Sequence, residues 1–421
     1  MKKAYNFMLK IRIPLVIYLI AGFLFYNVLY KYSARGISFN WYPWDVGWYA
    51  SIVDRGYFVT KDYLKQCNVA FFPLYPVLVY LFKLLTNLPT NYAMQITSGC
   101  YTFLSVCLLY RVIREYYPDY IAGMSTLLFI LNPHSMFLFS GYSESLYFLC
   151  TMAFFYLLTV RKSYVGAALA IGIGSAVRHT SILLIAVLGC QMVYDYIKTY
   201  GLKFELKKFR PLFVLPLCFL GLACYIGFLY IEFSDPLAFF NAQKAWYGSN
   251  MPGLFDFNKF FHLENPVREV LYRFADPGYM NEVYSMRPDG VGIASLQLFF
   301  LLFAIVFCSW FLPLPFGVFL FVVPVFYLFA THQHPLGMAS MGRYLVVVFP
   351  GSLVLVLLMD KIRLFLLAIC DKVFSKNNDR KVISHFLVQS LFYATFFFII
   401  YLHGKVFQFL TSTFYRGGWV S

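Results

Sequence analysis

The chain has 421 residues, of which 61% are hydrophobic and 21% aromatic, while only 13% carry charge. Soluble domains run near 25% charged and roughly 45–50% apolar, so the composition excludes an ordinary water-soluble enzyme and defines a polytopic membrane protein built helix on helix. The net charge of +15 does not signal nucleic acid, because the Lys and Arg gather in short loops between apolar runs, as topology determinants beside anionic lipid do.

A basic flank of Lys2, Lys3, Lys10 and Arg12 precedes an apolar run from Ile13 to Tyr30. The run is long enough to span and no small-residue cleavage site follows it, which predicts a retained first helix with its basic end inside. Directly after it comes Trp41-Tyr42-Pro43-Trp44-Asp45-Val46-Gly47-Trp48-Tyr49, three tryptophans around one carboxylate. A bare Asp at a membrane surface is costly unless solvated, paired or used, and indole rings suit the apolar faces of sugars. Trp41, Trp44, Trp48 and Ile52 recur at three or four residues, predicting an amphipathic interfacial helix from Trp44 to Gly56. At about 100° per residue, Asp45 and Asp54 project from opposite faces of that helix. Asp54 adjoins Arg55 and reads as a surface pair. Asp45 has two readings open to it, a catalytic carboxylate or a first-turn acid favoured by the helix dipole.

The run Asn68-Val69-Ala70-Phe71-Phe72-Pro73-Leu74-Tyr75-Pro76 reads as an aromatic belt or as a wall for a lipid-linked substrate. Membrane-length runs follow near 91–110, 120–139, 144–160, 211–231, 291–311, 314–330, 344–359 and 384–402. Residues 71–85 are short of the roughly 20 needed for a span and carry two prolines and Lys83. Treating them as re-entrant and dividing 164–196 into two short helices at Arg178-His179 gives about eleven spans. That choice also leaves Arg111, Arg114, Arg161, Lys162, Lys198 to Arg210 and Lys361 to Lys381 inside, as the positive-inside rule prefers. The expected architecture is a single all-α transmembrane bundle over 1–421. Residues 31–90 form the first non-cytoplasmic loop and 232–290 a second, long one. Every polar, Gly/Pro-punctuated segment then falls on one face, which argues for one chamber. No internal repeat is visible, so an inverted-repeat transporter has no support.

Other candidates for chemistry lie on that same face. In Tyr142-Ser143-Glu144-Ser145 the serine suits an N-cap and Glu144 a dipole-stabilised first turn. Arg178 and His179 interrupt an apolar run, where an arginine is expensive and a functional candidate by default. His332, His334, Arg343 and Tyr344 occupy a polar turn; a guanidinium offers the planar fork that fits phosphate. The i,i+2 spacing of His332 and His334 without a nearby carboxylate is weak as a metal site, so no metal and no cofactor are expected. Nine cysteines are scattered without CxxC spacing and imply no disulfide framework.

At these residues the chain resembles the PIG-V family, membrane mannosyltransferases of the GT-C fold. The resemblance runs in order through Trp44-Asp45, Asp54-Arg55-Gly56-Tyr57, Ala70-Phe71-Phe72-Pro73, Asn132-Pro133, Tyr142-Ser143-Glu144-Ser145 and Arg178. Asp235-Pro236-Leu237-Ala238-Phe239-Phe240 with Gln243 and Trp246, and Gly342-Arg343-Tyr344 with Pro350, are similar to the compact prokaryotic members. The resemblance implies a polyprenyl-phosphate mannose donor, transfer on the non-cytoplasmic side and a first-loop Asp as catalytic base, which carries over onto Asp45.

On this reading Asp45 takes the proton of an acceptor hydroxyl, with inversion at carbon 1 of the lipid-linked mannose. Arg178 and Arg343 hold the departing phosphate, and Trp44, Trp48 and Tyr49 orient sugars. Glu144, His179, His332 and Tyr344 complete the expected substrate-binding set. The acceptor is a glycolipid or lipid-linked saccharide. The expected location is a bacterial cytoplasmic membrane, with the endoplasmic reticulum as the alternative. Three rivals stay open: a GT-C transferase for another lipid-linked sugar, a flippase for lipid-linked saccharide, and a non-catalytic subunit.

Overall fold

A segment in lipid has to satisfy every backbone N–H and C=O internally, and this chain does so with helices. The computed structural model describes residues 2–34, 40–60, 63, 65–201, 206–247, 290–332, 341–375 and 378–416, and among them there is no β-strand. The first apolar run lies in α1 (Lys2–Ala34). The first loop then folds into α2 (Asp45–Arg55) and α3 (Leu74–Thr86), the latter only 13 residues long. After it come α4 (Thr90–Arg114), α5 (Asp119–Ile130) and α6 (Glu144–Phe155), which ends in a π turn over Tyr156–Val160.

The stretch from 164 to 196 divides where its arginine stands. Helix α7 (Tyr164–Ser175) stops, Arg178 is extended at φ −152°, and a 3-10 turn leads into α8 (Leu184–Tyr200). A 3-10 segment over Leu206–Phe219 enters α9 (Leu220–Phe233). Residues 248–289, most of the long loop expected at 232–290, lie outside the described residues. The second half contains α10 (Gly290–Cys308), α11 (Leu314–His332), α12 (Met341–Leu345), α13 (Pro350–Val373) and α14 (Asn378–Tyr415). Among the described residues, five helices are long and apolar enough to cross a membrane, and six shorter apolar helices accompany them.

Two expectations need correction. The run 344–359 is not one span: α12 ends at Leu345, and Pro350 opens α13. Proline lacks an N–H to donate and restricts the residue before it, so it begins a helix rather than continuing one. Nor is 361–381 a plain loop, because α13 runs on to Val373. Arg363 stays inside this helix through bonds to Asp360 at 2.6 and 2.9 Å, with Tyr120 and Gln389 beyond.

Small residues allow the central helices to approach closely, as lipid-embedded packing requires. A Cβ on Gly221 would sit 2.6 Å from the Ala176 backbone nitrogen, so α9 crosses the end of α7 only with glycine there. The last helix returns to the first loop: the Asn40 N–H donates to the Tyr415 carbonyl at 3.2 Å. Phe414 packs on Phe137 and Tyr142, and Tyr415 on Trp41. Asp235 ties the loop after α9 to the first loop by accepting from Tyr63 Oη at 2.5 Å, while Asn241 Nδ2 and the Leu237 N–H donate to it at 2.9 Å. Partial burial pushes the Asp235 carboxyl up, but these donors outweigh it and hold the group below its ordinary range.

Candidate active site

Four charged side chains from four separate segments meet at the heads of α2 and α6. Asp45 opens α2, and Glu144 opens α6. Arg178 comes from the break between α7 and α8, and Arg343 from the middle of α12. Arg343 pairs with Asp45 through Nη1, and Arg178 pairs with Glu144 Oε1 through Nη1. Arg343 Nε also lies 3.0 Å from Glu144 Oε1, an ion-pair distance, although its N–H is not aimed well enough to count as a hydrogen bond. Glu144 thus holds both guanidiniums from beneath.

The two carboxylates are not equivalent. The Glu144 side chain is 2% exposed and the Asp45 side chain 21%. A buried carboxylate between two arginines is a counter-charge that fixes them; the accessible one can meet a substrate. Tyrosine rings complete the cluster. The Arg343 guanidinium lies 5.3 Å from the Tyr142 ring and 5.0 Å from Tyr344, and that of Arg178 lies 5.2 Å from Tyr344 and 5.8 Å from Tyr147. Tyr344 is stacked on Tyr327 at 4.7 Å and 10°. Cation–π contacts of this kind are worth roughly 0.5–2 kcal/mol each, and here they leave the planar forks few other positions.

Local sequence explains how α2 aims Asp45. Trp44, immediately before it, has φ +52° and ψ −124°, a region costly for a bulky side chain. The packed face of α2 is Val46, Tyr49, Ala50 and Val53, with Ile52 beside it. The tryptophans lie off that packed face: Trp44 is 46% exposed and Trp48 is half-buried, stacked on Phe71 at 6.1 Å and 16°. Tyr49 is buried, edge-on to Phe71 and Tyr75, and donates to Ser143 Oγ at 2.6 Å, fastening α2 to the head of α6. Ser143 accordingly makes no capping bond to α6.

Asp54, on the opposite face, does not pair with Arg55. It accepts from Lys83 Nζ at 2.6 Å and Thr90 Oγ1 at 2.5 Å. His179 is exposed, and its ring lies 5.7 Å from that of Phe72. His332 ends α11, and nothing is described of its side chain; Gln333 and His334 fall outside the described residues. Among the described residues, no group of three or more His, Cys, Asp or Glu is placed to hold a metal ion. Tyr142 and Ser143 stood inside a motif already singled out, whereas Tyr147 and Tyr327 lie in apolar helices and gave no sequence signal.

A cavity of about 700 Å³ runs along the far half of α2. Ile52, Val53, Leu74, Val77, Tyr225 and Phe228 give it apolar walls, Asp54 and Arg55 stand at its edge, and Ala176 brings it within two residues of Arg178.

Solved structures share this architecture. ArnT from Cupriavidus metallidurans, bound to undecaprenyl phosphate, matches over 97% of this chain and 77% of its own, with 12% identity and a TM-score of 0.53. The Archaeoglobus fulgidus oligosaccharyltransferase in its apo form matches over 96% of this chain at 13% identity and TM-score 0.52. The same enzyme tethered to an acceptor peptide gives 14% and 0.51. The chain spans little more than half of the archaeal enzyme, 56% of its length. No curated protein matches the chain. The fold is that of the GT-C membrane glycosyltransferases. Residues 27–261 match the model of the family Mannosyltransferase (PIG-V), and the chain belongs to that family.

Proposed function

We propose that this glycosyltransferase moves mannose from a polyprenyl-phosphate donor to the hydroxyl of a glycolipid or lipid-linked saccharide, on the non-cytoplasmic face, with Asp45 as base. One observation carries the reading: the more accessible carboxylate of the cluster pairs with Arg343, one of two guanidiniums that a buried glutamate holds. Asp45 accepts the acceptor's hydroxyl proton while that oxygen attacks the anomeric carbon. The bond from that carbon to the phosphate oxygen breaks, and both electrons leave with the phosphate. Arg178 and Arg343 stabilise the charge that grows there. A single displacement inverts the anomeric carbon, and the leaving group is a stable anion with one phosphate, so neither a strong general acid nor a metal ion is needed. Trp44 and Trp48 offer faces to the sugars, and the apolar cavity beside α2 suits the isoprenoid tail. The undecaprenyl phosphate in the similar ArnT structure supports a polyprenyl carrier.

The test is Asp45→Asn, which keeps size and removes the base. Transfer from synthetic polyprenyl-phosphate mannose, per folded molecule, should fall by roughly 10²–10⁴. Asp54→Asn, on the opposite face of α2 and bound to Lys83, should cost far less. Near-parent turnover in Asp45→Asn, or equal damage in Asp54→Asn, assigns the base elsewhere. Intact donor after incubation with the parent protein would favour a lipid-saccharide carrier instead.

A further inference from the structure

Two motifs on the substrate face, Asn132-Pro133-His134 and Gly342-Arg343-Tyr344, meet in the fold, and only Arg343 and Tyr344 enter the cluster itself. Gly342 lies against the face of the His134 imidazole: a Cβ on Gly342 would clash with Nε2, Cδ2 and Cε1 together. His134 is fully buried and cannot easily give way. Its N–H donates to Asn132 Oδ1 at 3.0 Å, and the adjoining turn is closed by Ser135 Oγ donating to the Phe129 carbonyl at 2.7 Å. On the ring side, Nδ1 lies 3.1 Å from Gln297 Oε1, and Gln297 Nε2 donates to the Leu345 carbonyl at 3.4 Å.

The imidazole therefore touches α12 twice, through its face at Gly342 and through Gln297 at Leu345, one residue before Arg343 and two after it. We infer that His134 is a positioning residue for Arg343. Its ring is the seat on which this short helix rests, and it sets where the guanidinium meets Asp45 and Glu144. Gly342 is required because any side chain there would lift the backbone off the ring. A five-residue helix has little cooperativity of its own, so its place depends on such contacts. The consequence for transfer rests on the function proposed above; the positioning itself does not.

The experiment uses the full chain purified in detergent, with phenylglyoxal as arginine reagent and peptide mass spectrometry as readout. Arg343, 10% exposed, should label slowly in the parent. In Gly342→Ala it should label severalfold faster, while Arg363, held by Asp360 and Gln389 far along α13, stays at the parent rate. His134→Asn keeps an amide near the position of Nδ1 but removes the ring face, so Gly342→Ala combined with His134→Asn should return Arg343 toward slow labelling. Transfer from polyprenyl-phosphate mannose should follow the same order, with kcat about 10²-fold lower in Gly342→Ala, as a displacement near 1 Å can cause, and substantially restored in the double variant. If Gly342→Ala does not fold, His134→Ala carries the test: its loss of kcat should nearly vanish when measured in an Arg343→Lys background. Equal labelling in parent and Gly342→Ala, a rise shared by Arg363, no return in the double variant, or independent losses for His134→Ala and Arg343→Lys would each overturn the inference. The expected labelling order in a protein that leaves the donor intact would uphold the positioning and reject the proposed reaction.

Discussion

Replacing Glu144 by Gln keeps the side chain's shape and removes one negative charge from a position that is 2% exposed. In the parent, Asp45 and Glu144 balance Arg178 and Arg343; the variant leaves one positive charge uncompensated inside the cluster. Taking one partner from a buried ion pair costs about 3–5 kcal/mol. The Gln carbonyl can still accept from Arg178, so the lower end, about 3 kcal/mol, applies. A carboxylate serving only the dipole of α6 would lose about 0.3–1 kcal/mol. Thermal unfolding in detergent separates the two: at roughly 2 °C per kcal/mol for a large chain, Tm falls by about 6 °C in one case and by less than about 2 °C in the other. Inorganic phosphate then tests the sign of the charge left behind. It should raise the Tm of Glu144→Gln more than that of the parent, because the uncompensated guanidinium favours an anion in the folded state. A fall below about 2 °C with no added response to phosphate would refute the buried cluster.

Arg178→Lys and Arg343→Lys keep charge and lose the planar fork; donor use should weaken in both without loss of folded protein, and parent-like turnover in both would show that neither holds phosphate by geometry. Gly221→Val forces a side chain to within 2.6 Å of the Ala176 nitrogen. It should destabilise by about 1–3 kcal/mol, read as a lower Tm; unchanged stability would mean α7 and α9 do not cross this closely. Cysteines placed in 198–210 and 362–381 should be shielded from impermeant reagents in intact cells while those in 235–285 react, and labelling of 198–210 from outside would reverse the proposed sidedness.

Much of the fold is legible because it is decided locally. Apolar runs such as Ile13 to Tyr30 become helices since lipid leaves the backbone no other partner, and the run 164–196 divides at its one arginine, as expected of a costly charge placed for use. Arg178 was recognisable as a charge too expensive for an apolar run without use, and Asp45 and Arg343 as candidates, while Glu144 read as a first-turn acid of its helix. Their pairing was not recognisable. Asp45 and Arg343 stand 298 positions apart, and no periodicity reports which helix ends will meet. Which face of α2 packs against the protein was not legible, because Trp44, Trp48 and Ile52 recur at the same three-to-four spacing as Val46, Tyr49, Ala50 and Val53; only the contacts with α3 and α4 choose between them. For the same reason Asp54 found Lys83 rather than the adjacent Arg55. Which carboxylate is a counter-charge and which can reach a substrate also follows from tertiary structure alone. Burial of 2% against 21% exposure is a property of the neighbours that close around each group, and those neighbours are set by how distant helices pack.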